Sequence, residues 1–144
     1  MKFLFASLFL AFAGLACAQS MMPAQREALN AAERWLVPVD AQRYGDAWAM
    51  ASEPFKAKVA RDAFRDGIAR IRKDYGKVEK RVGERMAFRN DMPAPDQGDT
   101  AVKVGTEVAI LFDTVFAGQK QAQEEVTMVL EKDGIWRVAG YYIK

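Results

Sequence analysis

The chain has 144 residues, with 21 Lys and Arg, 19 Asp and Glu, one Cys and no His. This length fits a single domain that is large enough to bury a hydrophobic core. The lack of His and the single Cys remove the commonest metal ligands and the commonest proton shuttle, so we expect no metal site and no cofactor.

The N-terminus reads as a targeting segment. Lys2 is followed by an uncharged apolar run from Phe3 to Ala16, which is shorter than the roughly 20 residues that a membrane-spanning helix needs. Ala16-Cys17-Ala18 fits the small-x-small rule for signal peptide cleavage. The sequence therefore predicts a signal peptide over residues 1–18, one domain over residues 19–144, and a periplasmic or secreted protein.

Cys17 also permits a second interpretation, in which it becomes the lipid-modified first residue of a membrane-anchored lipoprotein. Bacterial lipoprotein signals resemble Leu-Ala-Gly-Cys, but Gly14 stands here at the leucine position. Lipid anchoring is therefore the alternative to simple cleavage, and we expect membrane association only if Cys17 is lipidated.

Apolar periodicity predicts three helices in the first half of the domain, over residues 23–37, 41–52 and 61–75. Pro38 should kink or end the first helix near Val37, Asp40 should N-cap the second, Pro54 should close it, and Gly76 should follow the third. The predicted buried stripes are Ala28, Leu29, Ala32, Trp35 and Leu36; then Tyr44, Ala47, Trp48 and Ala51; then Phe64, Ile68, Ile71 and Tyr75.

After Gly76 the apolar period changes to two, which predicts strands. We expect four strands, over residues 77–90, 102–116, 122–132 and 134–144, with residues 90–99 as a loop. Short connections between them imply an antiparallel sheet with one face on the helices. The fold class is therefore α+β, with three N-terminal helices packed on a four-stranded antiparallel sheet.

Within the first strand, Gly83 marks a bulge or bend. Simple alternation places an apolar face against a basic face that contains Arg81, Arg85 and Arg89. The apolar face comprises Val78, Val82, Met86 and Phe88, and the apolar face of the second strand comprises Val102, Val104, Val108, Ile110, Phe112 and Phe116.

Charge is unevenly distributed along the chain. Residues 21–90 contain 15 basic and 10 acidic side chains, and residues 91–144 contain 5 and 9. A polyanion-binding face is one interpretation, with Arg70, Arg72, Lys73, Lys77, Lys80 and Arg81 as its best basic patch. We favour mutual neutralisation, in which the strand arginines pair with Glu107, Asp113, Glu125 and Glu131 on the outer sheet surface. We expect no nucleic acid partner.

The final segment, residues 134–144, carries apolar side chains on both faces. A simple order of hairpins places it at a sheet edge, where a bare apolar strand would promote aggregation. One face should meet the helices. For the other face we expect a second copy of the protein, with the curled sheet itself or a ligand as alternatives.

The chain resembles the exported bacterial family called domain of unknown function 4019. The resemblance spans residues 31–144, and it rests on spaced aromatic residues and on the ending Trp-Arg-Val-x-Gly-Tyr. It implies a nuclear transport factor 2-like (cystatin-like) fold, in which a bent sheet wraps the helices into a cone, and it implies no assigned reaction. The matching positions are Trp35, Val39, Asp40, Tyr44, Trp48, Gly76, Trp136, Arg137, Val138, Gly140 and Tyr141.

Cones of this kind often hold apolar ligands, so we consider an aromatic pocket against the alternative that the same side chains form the core. The candidate lining residues are Trp35, Tyr44, Trp48, Phe112, Trp136 and Tyr142. Asp40 and Asp113 are candidate general bases, but a helix cap and a salt bridge explain them better. Asp91, Asp96 and Asp99 lack the spacing of a calcium loop.

We therefore expect a non-catalytic periplasmic binding or interaction module; for its aromatic residues we favour the core, with a small apolar pocket as the alternative. The alternatives are a small enzyme that uses a buried carboxylate as a general base, or a lipid-anchored envelope component. An enzyme of that kind needs a carboxylate on the concave face of the sheet, where the alternation predicts only apolar, Tyr and Trp side chains.

Overall fold

A computed structural model of the chain describes residues 21–89 and 103–144, so the predicted signal peptide and the whole predicted loop over residues 90–99, with Asp91, Asp96 and Asp99, lie outside the described residues. Helices precede strands, and the α+β class is confirmed. In chain order the elements are α1 (Pro23–Asp40), α2 (Tyr44–Ala49), α3 (Glu53–Lys58), α4 (Arg61–Tyr75), β1 (Val78–Phe88), β2 (Glu107–Phe116), β3 (Lys120–Leu130) and β4 (Trp136–Ile143).

The predicted stripe of α1 is confirmed, but the predicted end of the helix is wrong. All five stripe residues are buried, yet α1 continues through Pro38 to Asp40. Proline removes one backbone donor, and the complete burial of Val39 and the ion pairs of Asp40 offset that loss. Asp40 is therefore the last residue of α1, and the N-cap of α2 is Arg43.

The helix predicted over residues 41–52 is present but shorter, as α2 (Tyr44–Ala49), and a further helix that we did not predict, α3, follows at Glu53–Lys58. Pro54 does not simply close a helix but lies in the first turn of α3, where its fixed φ is favourable. The Ser52 hydroxyl caps α3 by accepting from the Phe55 backbone N–H at 3.4 Å. The number of helices in the described chain is thus four, not three.

Helix α4 has the predicted bounds and is followed by Gly76. Its buried side chains are Phe64, Ile68 and Arg72, whereas Ile71 is 43% exposed. The helix is therefore rotated relative to the predicted stripe, and this rotation brings a guanidinium into the interior.

The strands form one antiparallel sheet in the order β1-β2-β3-β4. The face towards the helices carries the core, in which α1 packs across β2, β3 and β4 through Trp35 and Leu36. Val104, which we placed on this apolar face, instead precedes β2 and is 57% exposed. Val102 lies outside the described residues. The inward residues of the central strands are Val108, Ile110, Phe112, Val126 and Met128.

The bulge predicted at Gly83 is confirmed by a register shift between Arg81 and Glu84. Because one extra residue reverses the alternation of a strand, Arg81 lies opposite Thr114 on the helix-facing side. Val82, which we expected in the core, is 59% exposed. Simple alternation is therefore wrong for Arg81 and Val82, which precede the end of the bulge at Glu84.

Strand β4 lies at a sheet edge, as predicted. Trp136 is buried against the helices, whereas Tyr142 on the opposite face is 58% exposed. The α2–α3 junction covers part of the edge: Ala51 forms an isolated parallel bridge to Val138, and the Ser52 N–H donates to the Val138 carbonyl at 2.9 Å.

Ion pairs on the outer surface join the basic first half to the acidic second half. Arg85 contacts Asp113 at 3.0 Å, and Arg89 pairs with Glu125. The predicted neutralisation is confirmed for these two pairs, and Lys144 of the second half also pairs with Glu125. Glu131 instead pairs with Arg137 at 2.7 Å.

Two glycines provide a matched test of the α4 boundary. Gly76 has φ 77° and ψ −155°, a region that is almost exclusive to glycine, and a Cβ there would lie 3.2 Å from the Cβ of Ala117. Gly76→Ala should lower the free energy of unfolding by about 1–3 kcal/mol. A Cβ added at Gly67, inside α4, would meet no atom within 4 Å. Gly67→Ala should therefore raise the free energy of unfolding by about 0.5–1 kcal/mol. Urea unfolding measures both, and a neutral Gly76→Ala would contradict the assigned conformation.

Candidate functional site

Glu124 on β3 is a completely buried carboxylate on the helix-facing side of the sheet. It lies opposite Phe112 and alternates in phase with Val126 and Met128. Removing an ionised carboxylate from water is costly unless its charge is paired and its oxygens accept hydrogen bonds. The surroundings of Glu124 must therefore supply both.

Each oxygen of Glu124 is surrounded by donors. Oε1 accepts from the Tyr141 hydroxyl at 2.6 Å, from Arg72 Nη1 at 3.1 Å and from Arg81 Nη2 at 3.3 Å. Oε2 accepts from the Thr114 hydroxyl at 2.6 Å and from Arg81 Nε at 2.8 Å. Five donors thus occupy the acceptor positions of one carboxylate.

Asp40 supplies the second negative charge of the cluster. Its Oδ1 accepts from Arg72 Nη2 at 2.8 Å and from Arg81 Nη2 at 3.0 Å, and its Oδ2 accepts from Arg81 Nη1 at 2.8 Å. Two guanidiniums therefore face two carboxylates, and their formal charges cancel. Arg72 also lies over the ring of Phe116, 5.2 Å from its centroid, which adds a cation–π contact.

We name this set the Glu124 network. Its members come from α1, α4 and all four strands, so one side chain from each of six elements meets at a single point. The members are Asp40, Arg72, Arg81, Thr114, Glu124 and Tyr141.

The network shifts the pKa values of two of its members. Burial raises the pKa of Tyr141 well above its usual range, and the adjacent Glu124 charge raises it further. Burial acts to lower the pKa of Arg81, but its hydrogen bonds to Asp40 and Glu124 outweigh that effect, and the pKa is raised. Tyr141 therefore remains a neutral donor and Arg81 a permanent cation.

Four of the six predicted pocket residues, Trp35, Tyr44, Phe112 and Trp136, lie in the core. Trp48 is partly buried and packs against that core, and Tyr142 lies on the opposite face of the sheet, away from the others. The structure therefore does not bring all six residues together.

Trp35 and Trp136 line one cavity between α1 and β4, with a volume of about 220 Å³. The Trp35 and Trp48 indoles donate to the carbonyls of Ala47 and Val59, each at 2.8 Å. The Trp136 indole Nε1–H has no acceptor among the described residues. The cavity is lined by Ala31, Arg34, Trp35, Met50, Met128, Ile135, Trp136, Arg137 and Val138.

The remaining candidates have other roles. Asp113 pairs with Arg85 on the outer surface, as expected, and the hydrogen bonds from Arg85 and Gln123 hold its pKa below the usual range. The predicted basic patch loses Arg72 and Arg81 to the Glu124 network.

Within residues 21–89 and 103–144, no group of three or more His, Cys, Asp or Glu could hold a metal ion. No described helix is long and apolar enough to cross a membrane.

Sequence reasoning missed the Glu124 network, although two signals for it were present. Glu124 interrupts the apolar alternation of Val126 and Met128, which marks an inward carboxylate. Arg72 follows Phe64 and Ile68 at the spacing of one helix face. Our expectation that the helix-facing side holds only apolar, Tyr and Trp side chains was therefore wrong.

Removing one charge from the Glu124 network should lower the free energy of unfolding. Glu124→Gln leaves the buried guanidinium of Arg72 and the partly buried one of Arg81 opposite a single carboxylate, and breaking a buried pair in this way typically costs about 3–5 kcal/mol. We expect a loss of that size in the free energy of unfolding, measured by urea denaturation. Asp113→Asn, which removes an exposed pair, is the control and should leave the midpoint nearly unchanged. Equal losses of stability for Glu124→Gln and Asp113→Asn would contradict the buried, charge-paired position of Glu124.

The pKa of Tyr141 predicts a loss of stability at alkaline pH. Because the folded state raises this pKa above the unfolded value of about 10, the contribution of Tyr141 is complete below about pH 10 and falls as the pH rises above it. The stability advantage of the wild type over Tyr141→Phe should therefore shrink above about pH 10. Tyr142→Phe retains Tyr141 and should keep the wild-type slope. If the difference in the free energy of unfolding between wild type and Tyr141→Phe does not depend on pH, the raised pKa of Tyr141 is refuted.

Comparison with known proteins identifies a family but no activity. No curated protein matches the chain. A solved structure from Catenulispora acidiphila is similar to it, with a TM-score of 0.43 and 14% identity, over 83% of this chain and 88% of that chain. The family model described as "Protein of unknown function (DUF4019)" matches residues 31–141. The chain therefore belongs to the DUF4019 family.

Proposed function

We propose that the protein is a non-catalytic binding module that is exported to the periplasm. The observation that carries this proposal is the saturation of Glu124. A general base must contact the proton that it removes and must have a lone pair for it, whereas this carboxylate is fully buried and accepts from five donors.

The alternative is a small enzyme that uses a buried carboxylate. The presence of Glu124 on the helix-facing side of the sheet favours it, because that is where such an enzyme needs a carboxylate. Asp40 is 31% exposed and borders two surface clefts. However, Arg72 and Arg81 donate to both of its oxygens, so its carboxylate is already engaged by two guanidiniums.

The cone of the nuclear transport factor 2-like fold is our proposal for the overall shape. Register shifts in β1 and at Ala139 of β4, opposite Thr127 and Met128, support it, because bulges bend and twist a sheet. The coverage of a single face by the helices is also consistent with a cone.

For the outer sheet face we propose a homodimer. Tyr142 is 58% exposed and lies opposite Glu125 in the strand register, and the face carries both cations and anions, such as Arg85 and Asp113. A two-fold axis can pair such a face with its own copy. Size-exclusion chromatography with light scattering at micromolar concentration should show a dimer, and a clean monomer would remove this part of the proposal.

Native mass spectrometry of the exported full-length gene product tests the function and the compartment together. We expect a chain that begins at Gln19, without the predicted signal peptide of residues 1–18, and a small molecule that co-purifies with it. A lipid-modified Cys17 would establish the lipoprotein alternative instead. An unprocessed chain would contradict export, and a processed protein with neither a bound molecule nor a partner would contradict the binding function.

A further inference from the structure

One of the two clefts beside Asp40 carries two cations that no described residue neutralises. The cleft lies between the end of α1 and the second half of α4, and its volume of about 370 Å³ falls within the range of roughly 300–1,000 Å³ that is typical of ligand sites. Lys73 and Lys77 line the cleft, are exposed, and form no ion pair within residues 21–89 and 103–144.

The other charges of the cleft cancel within the Glu124 network. Arg72 and Asp40 form an ion pair at 2.8 Å, and with Arg81 and Glu124 they make a set of two cations and two anions. Both oxygens of Asp40 already accept hydrogen bonds from the arginines. The surplus charge of the cleft is therefore that of its two lysines.

The uncharged polar groups of the cleft are suited to donate hydrogen bonds. Burial raises the pKa of Tyr44, so its hydroxyl stays protonated. Gln42 follows the C-cap of α1 with φ 59°, in the left-handed region that favours glycine, and its exposed amide forms no hydrogen bond with a described residue. Because residues in sparsely populated backbone regions cluster at ligand sites, the backbone of Gln42 is consistent with a role for its amide in binding.

We propose that this cleft binds a dianionic phosphate group. Such a group carries about −1.5 to −2 charges near neutral pH and three strong acceptor oxygens, which match the two surplus positive charges and the donors of the cleft. Lysine ammoniums bind phosphate as point charges. The inference rests on the proposed binding function, and it adds the place and the chemical class of the ligand.

Isothermal titration calorimetry of the exported protein with inorganic phosphate and with acetate tests the inference, at low and constant ionic strength. At about pH 8, phosphate carries close to two negative charges, whereas acetate carries one. Because the second charge meets a second lysine, and one exposed ion pair changes affinity by at most a few-fold, we expect phosphate to bind about fivefold more tightly.

Variants of the lining separate this cleft from a diffuse basic surface. Lys73→Ala and Lys77→Ala should each weaken phosphate binding by about fivefold. Arg70→Ala removes a surface cation of α4 that does not line the cleft, and this control should bind like the wild type. Gln42→Gly should weaken phosphate binding and yet raise the urea midpoint, because glycine relieves the left-handed backbone. All four positions are exposed, so their variants should fold.

Vesicle sedimentation distinguishes a soluble ligand from a lipid headgroup. The vesicles consist of phosphatidylcholine with or without phosphatidic acid, whose headgroup is a phosphomonoester. Binding of inorganic phosphate that Lys73→Ala weakens would support a soluble ligand. Sedimentation only with phosphatidic acid, again weakened by Lys73→Ala, would support the same site with a lipid headgroup.

The outcomes separate this inference from the proposed function. Equal affinities for phosphate and acetate, lysine variants that bind like the wild type, or an equal loss in Arg70→Ala would overturn the inference. Failure of phosphate and of the vesicles to bind, while native mass spectrometry still detects another co-purified molecule, would overturn the inference and leave the binding function standing. The same failure together with an empty exported protein would overturn both.

Discussion

The burial of one carboxylate, that of Glu124, governs how the parts of this molecule fit together. A lone buried charge would be strongly unfavourable, so the fold is stable only when Arg72 and Arg81 both reach it. Asp40 then balances the second guanidinium. Because these side chains come from α1, α4, β1 and β3, the helices can dock on the sheet in only one register without leaving a charge unpaired. In some proteins buried ionic groups contribute to such specificity more than to net stability, and we propose that role here.

The Glu124 network and the cavity beside Trp136 lie at different ends of the core. At one end of the core, charge is neutralised and every acceptor of Glu124 is occupied, so this end is not prepared for proton transfer. At the other end, between α1 and β4, the Trp136 donor is unpaired beside an apolar cavity. The ion pairs of Asp40 with Arg72 and Arg81 hold α1 against α4 and the sheet, and the binding function that we propose needs such a scaffold.

Elements with a simple period were predictable from the sequence, and contacts that depend on register were not. The stripe of α1, the bounds of α4 and the position of β4 at the edge followed from local patterns. Gly83 indicated a bulge, but only pairing with β2 shows that Arg81 turns inward. Glu124 was visible as a break in alternation, yet its partners lie on distant elements. The unpaired N–H of Trp136 could not be predicted, because it depends on packing and not on residue type.

A double-mutant cycle between Asp40→Asn and Glu124→Gln tests the central claim most directly. The two carboxylates share Arg72 and Arg81 as partners, so their effects on the free energy of unfolding should not be additive. We expect a coupling energy of about 0.5–3 kcal/mol from urea denaturation of the wild type, both single variants and the double variant. Additivity within about 0.3–0.5 kcal/mol would show that the two sites are independent and would contradict a single network.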